Sequence, residues 1–172
     1  PGQGDGTFPS STGYPVSASP SFVTAADLNL DGIPDLAVAN QGSDNVAVFR
    51  GIGNGAFATP SYFPAGIDAI SLVVVDFNQD GSPDLAVATA FDSKEAVMLF
   101  GHGNGQFDAP LPLGAGPGRF ICSADFNRDG NLDLATLYLN GGNGIGVVFG
   151  DGSGHFSGCG GVTTRGDPNG IA

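Results

Sequence analysis

The chain has no tryptophan, one methionine, one Glu (Glu95) and only five Lys and Arg against 17 Asp and Glu. Its cations, Arg50, Lys94, Arg119, Arg128 and Arg165, are scattered. No basic surface can be built from them, so nucleic acid and anionic membrane are poor partners. No apolar run approaches 18 residues, which excludes a membrane-spanning helix. No segment carries a helical hydrophobic period. His102 and His155 lie near glycine turns but at different offsets, and no Ser/His/Asp or Cys/His set can be assembled. The chain is therefore expected not to be an enzyme. Two cysteines, Cys122 and Cys159, allow at most one internal disulfide and lack the C-x-x-C spacing of a zinc site. Two readings stand: a buried small residue plus a loop thiol, or a bridge suited to an oxidising compartment. No signal peptide is visible, and Pro1 is not a natural start, so a leader removed or lying upstream is expected.

Glycine and proline are abundant, at 30 and 12 of 172 residues, a profile that suits short strands joined by tight turns. The order in the chain comes from repetition. Asp27 opens "DLNLDGIPDLAVA", Asp76 opens "DFNQDGSPDLAVA" and Asp125 opens "DFNRDGNLDLATL", each 49 residues after the last. A glycine marker keeps nearly the same pitch: "GIGNGAF" from Gly51, "GHGNGQF" from Gly101 and "GDGSGHF" from Gly150, with an earlier copy, "GQGDGTF", from Gly2. A fixed period of this size signals a repeat architecture. In the middle repeat, Ile70–Phe77 and Asp84–Ala90 read as strands around the acidic loop. "FDSKE" is a turn, Ala96–Gly101 a third strand, and Phe107 to about Leu113 a weak, proline-bearing edge strand. Four antiparallel strands in 49 residues predict an all-β fold of β-propeller blades, about three and a half of them. The expected divisions are 1–19 as the end of a preceding blade, 20–66, 67–116 and 117–164 as three repeats, and 165–172 as the start of another. The glycine-rich turns resemble phosphate loops only superficially, since no helix and no Lys follow them.

The acidic loops carry the chemistry. Positions 1, 3, 5 and 9 of the middle loop are Asp76, Asn78, Asp80 and Asp84, position 6 is Gly81, and the carbonyl of Ser82 stands at position 7. Oxygen groups at alternate positions of a tight loop turn toward one centre, as in a shortened EF-hand loop. The first loop offers Asp27, Asn29, Asp31, the Ile33 carbonyl and Asp35. The third offers Asp125, Asn127, Asp129, the Asn131 carbonyl and Asp133. All-oxygen ligands select a hard cation, and many oxygens in a flexible ring favour calcium over magnesium. Up to three calcium ions are expected. They would bring the net charge from −12 to about −6. Without an ion, three carboxylates gathered in each loop repel one another.

The "DxNxDGxxDL" loop, the strand after it and the "FG…GxGxF" segment resemble the FG-GAP or VCBS repeats. The pair "FG" stands at Phe100–Gly101 and Phe149–Gly150. In the first repeat the order is Phe49-Arg50-Gly51, read as an inserted arginine. The resemblance implies a seven-bladed propeller like that of integrin α subunits and many secreted bacterial proteins. It also implies calcium between the first and second strands of each blade and an extracellular or cell-surface setting. It suggests a partner, protein or glycan, held by loops on one face, with Tyr14, Tyr62 and Tyr138 as candidates for sugar stacking. Three and a half blades cannot close a ring. The expectation is a piece of a larger protein. The alternatives are two copies completing each other, or open blade edges joining head to tail into a filament or cell-surface layer. "RGD" at Arg165–Asp167 is read as a coincidental turn.

Overall fold

The computed structural model describes residues 4, 5, 7, 11–89, 95–116, 118–138 and 144–163. The segment 165–172 with its RGD, most of the "FDSKE" turn, much of the first glycine marker, and the side chains of Tyr138 and Cys159 lie outside that description. Twelve strands form three four-stranded antiparallel sheets. The first sheet holds β1 (Pro20–Ala26), β2 (Asp35–Asn40), β3 (Asn45–Phe49) and β4 (Ser61–Pro64) in sequence order. The second holds β5 (Ala69–Val75), β6 (Asp84–Thr89), β7 (Val97–Leu99) and β8 (Leu111–Pro112). The third holds β9 (Phe120–Ala124), β10 (Asp133–Tyr138), β11 (Gly144–Gly150) and β12 (Phe156–Thr163). Among the described residues the only helical segment is a 3-10 turn, Gln41–Ser43. The expected weak fourth strand of the middle repeat shrinks to Leu111–Pro112, paired with Val97 and Met98. Pro110 and Pro112 lack N–H donors and cannot sustain a longer ladder.

Side-chain alternation along the middle sheet explains why it is apolar on both faces. Leu85, Val87 and Leu99 point into a core shared with the first sheet, while Ala86 and Met98 point into a core shared with the third. β6 is accordingly buried along its whole length, the pattern expected of a strand covered on both sides. A smaller cluster of Val38, Ala47 and Phe49 lies on the far face of the first sheet, and Tyr14 and Val16 pack over it. Tyr14 also meets Phe57 edge-on at 5.5 Å, and Phe63 meets Phe107 the same way at 5.2 Å. Tyr14 and Phe63 are 49 residues apart, so the segment around Tyr14 stands toward the first sheet as β4 stands toward the second. Tyr14 is thus a packing residue, and Tyr62 is 48% exposed.

The register corrects the reading of the first "FG" pair. Leu36 pairs with Phe49, Leu85 with Leu99 and Leu134 with Val148. Phe49 therefore matches Leu99 and Val148, and Arg50 replaces Phe100 and Phe149. No arginine is inserted. The Asp35-to-Gly51 span is one residue shorter because the β2–β3 turn is. The topology also decides the disulfide. β9 and β12 are opposite edges of the third sheet, three strand spacings or roughly 14 Å apart. Cysteine Cα atoms must lie within about 7 Å for a bridge. Cys122 is a free, half-buried thiol, and burial pushes its pKa up.

Candidate metal centres

Each acidic loop joins the first and second strands of its sheet, and all three fold alike. The first aspartate accepts two backbone N–H groups across the loop. Asp27 takes those of Asp31 at 3.1 Å and Gly32 at 2.8 Å, and Asp76 takes those of Asp80 at 3.1 Å and Gly81 at 2.9 Å. Asp125 takes those of Asp129 at 3.1 Å and Gly130 at 3.0 Å. The asparagine at position 3 accepts the N–H of position 5 and donates its amide to the position-5 carboxylate, at 2.9 Å from Asn29 to Asp31. Asn78 with Asp80 and Asn127 with Asp129 repeat the pattern. The other oxygen of that carboxylate accepts the N–H of position 7, so Asp31, Asp80 and Asp129 bind Ile33, Ser82 and Asn131. Gly32, Gly81 and Gly130 hold φ between 82° and 94°, which is why position 6 is glycine. Leu30, Gln79 and Arg128, at position 4, also hold positive φ, 59° to 64°. Nothing in their residue types signals this.

Position 9 is tied into the fold on its own account. Asp35, Asp84 and Asp133 are fully buried. One oxygen accepts the N–H of position 2 in the same loop (Leu28 at 3.0 Å, Phe77 at 2.9 Å, Phe126 at 2.8 Å). The other accepts the N–H of the marker glycine (Gly51 at 2.7 Å, Gly101 at 2.8 Å, Gly150 at 3.0 Å). Each carboxylate staples the loop to the end of the third strand. A side chain on that glycine would overlap the carbonyl oxygen of Pro34, Pro83 or Leu132. The glycine of "FG" is therefore required by close backbone approach, and it is the invariant part of the motif in this chain. The recurrence of a glycine 16 or 17 residues after the last loop aspartate was the available signal.

The glycine turns that follow dock onto the acidic loop of the preceding sheet. Gly105 donates its N–H to the Leu28 carbonyl at 3.1 Å. Leu30 lies against Gly103. Gln79 donates to Asn131 at 3.1 Å and lies against Gly152. Phe77 meets Phe156 edge-on at 5.8 Å. Each loop is thus shared between its own sheet and its neighbour.

The donor set suits a hard cation: two exposed or half-buried carboxylates, an amide oxygen and a buried carboxylate around one tight turn. In the first two loops each carboxylate oxygen keeps a lone pair beyond its N–H bond, whereas in the third, one oxygen of Asp125 accepts Arg128 as well as Asp129, and one of Asp133 accepts Asn127 as well as Phe126. In the described arrangement the Asn amide bonds the position-5 carboxylate, and no group of three Asp, Glu, His or Cys side chains among the described residues is gathered closely enough to hold a metal ion. An ion would have to displace that amide bond. The electrostatics of the middle loop bear on that exchange. Burial pushes the Asp84 carboxyl above the usual range, the N–H groups of Gly101 and Phe77 oppose this, and the charges of Asp80 and Asp76 add to it. Such a group stabilises the fold fully only below its unfolded value of 3.8 and loses that contribution as pH rises through the raised folded value. At neutral pH the ionised Asp84 is a burden that a bound cation would relieve. The N–H of Ser82 holds Asp80 down, and the N–H of Asn131 does the same for Asp129, so both are ready anions.

These loops and sheets are those of a repeat module. Comparison with known families matches the FG-GAP-like repeat twice, over residues 27–87 and 76–136. The matches start on Asp27 and Asp76, the first residues of two acidic loops, and together span more than half of the chain. The chain belongs to the FG-GAP-like repeat family. No curated protein matches it.

Proposed function

We propose that the chain is a non-catalytic, calcium-binding β-propeller module of the cell surface or extracellular space that holds a protein or glycan partner. The observation that carries the calcium reading is the threefold recurrence of one loop geometry. Aspartates at positions 1, 5 and 9 and an asparagine at position 3 occupy equivalent places in all three sheets. The propeller reading draws support from β1, β5 and β9, which lie against one another, as innermost strands of successive blades do. The blades then run 20–66, 67–116 and 117–164. Calcium at Asp27–Asp35, Asp76–Asp84 and Asp125–Asp133 stiffens each loop and the glycine turn docked on it.

A second reading, self-assembly into a filament or layer, has its own observation. Leu28 and Phe77 are 1% and 3% exposed, but their equivalent Phe126 is 47% exposed. Val23 is 57% exposed where its equivalent Leu72 is 3%. Phe126 stands at the outer end of the third sheet, and Val23 on the far face of the first, which Tyr14 and Val16 cover only in part. Light scattering and negative-stain microscopy of the purified chain, with calcium and then with chelator, separate the readings. A discrete particle that loosens on chelation is expected of the module. Extended polymers would replace it with the second reading.

A further inference from the structure

The same groove occurs twice, between a sheet and the glycine turn of the next repeat, and its two copies differ in chemistry. Between the second sheet and the third turn it is a cavity of about 260 Å³ lined largely by Met98, Phe100, Leu111 and Phe156. Between the first sheet and the second turn it is about 230 Å³ and lined by Arg50, Thr59, Ser61, Asn104 and Gln106, with Asp35 at its base. Position by position, Arg50 replaces Phe100, Ser61 replaces Leu111 and Asn104 replaces Ser153. Phe100 lies directly on Gly154, whereas no Arg50 atom approaches the equivalent Gly105. The aromatic ring packs on the glycine turn in the apolar groove, and Arg50 does not pack there in the polar one.

We infer that the Arg50 groove binds a carboxylate-bearing sugar, a uronic acid. The ion pairs among the described residues are those of His102 with Asp108 and His155 with Asp151, so Arg50 has no carboxylate partner there. Asp35 is fully buried and makes no ion pair with it. A guanidinium offers a planar fork of donors that matches one carboxylate. The hydroxyls of Thr59 and Ser61 and the amides of Asn104 and Gln106 both donate and accept, which suits a polyol. The volume is below the roughly 300–1,000 Å³ of common ligand sites and has room for one ring. With a net charge of −12, the surrounding field disfavours a dense polyanion far more than a ligand with one carboxylate. The inference rests on the partner-binding half of the function proposed above, and it needs no ion among the groups that meet the sugar.

The test is titration of the whole chain with glucuronate in the presence of calcium, followed by calorimetry or NMR, with glucose, acetate and an amidated N-acetyl-aspartate as parallel probes. Glucuronate is expected to bind more tightly than the other three. Arg50→Phe installs the residue of the equivalent positions, so the fold is retained, and affinity should fall about ten-fold or more, the loss typical of a charge-assisted hydrogen bond. If that variant loses its β signal, Arg50→Gln replaces it with the same expectation. Equal binding by wild type and variant overturns the site. Equal binding of glucose removes the carboxylate from it, and tighter binding of the aspartate derivative replaces the sugar with an acidic peptide. A separate calcium titration reports on the loops, so a failure here is distinct from a failure there.

Discussion

Asp84→Ala, measured in chelator so that no ion contributes, is expected to lower unfolding free energy by about 2–6 kcal/mol, because it leaves two buried N–H groups without an acceptor at about 1–3 kcal/mol each. Those donors are Phe77 and Gly101. Asp84→Asn keeps one accepting oxygen and should cost about half as much. Some of the loss is offset, since the wild-type carboxylate is itself held in an unfavourable buried place. Asp80, by contrast, is exposed and accepts from within its own loop, so Asp80→Ala should barely change the denaturation midpoint in chelator. Urea unfolding of the three variants measures this. A midpoint for Asp84→Ala equal to wild type would remove the staple from position 9 and leave it a ligand alone.

Gly101→Ala is expected to be as damaging as Asp84→Ala or worse. The methyl group would overlap the Pro83 carbonyl oxygen and crowd the Phe107 ring at 3.2 Å. The clash is with backbone, so no side-chain rotation relieves it, and a shift of the strand end would pull the Gly101 N–H away from Asp84. Overpacking alone costs about 1–3 kcal/mol, and the lost buried hydrogen bond adds about 1–3 kcal/mol. Gly51→Ala and Gly150→Ala should behave alike, since Pro34 and Leu132 stand in the place of Pro83. Gly116→Ala is the control: its added carbon meets nothing within 4 Å, and no loss is expected. Thermal unfolding of the set decides the matter. A stable Gly101→Ala would mean that the strand end is not fixed against the loop.

Much of this was legible from residue order alone. The 49-residue pitch and the β-branched runs placed the first three strands of the middle repeat within a residue or two, because both strand identity and turn position are local properties. The acidic loops were legible for the same reason: alternate oxygens and one glycine define the turn without outside help. What escaped is non-local. The two duties of Asp35, Asp84 and Asp133 depend on a glycine 16 or 17 residues away. The docking of Gly103 and Gly152 on the preceding loop depends on how sheets stack. Arg50 reads as an insertion when letters are aligned and as a substitution once Leu36 is paired with Phe49. The positive φ of Leu30, Gln79 and Arg128 is imposed by the loop closing around them and contradicts their own preferences.

The measurement that bears most directly on the central claim is a calcium-binding isotherm of the whole chain beside that of Asp80→Ala. The loop geometry predicts up to three ions per chain, and one fewer in the variant with the other sites kept. No saturable calcium binding, or an unchanged stoichiometry in Asp80→Ala, would contradict it.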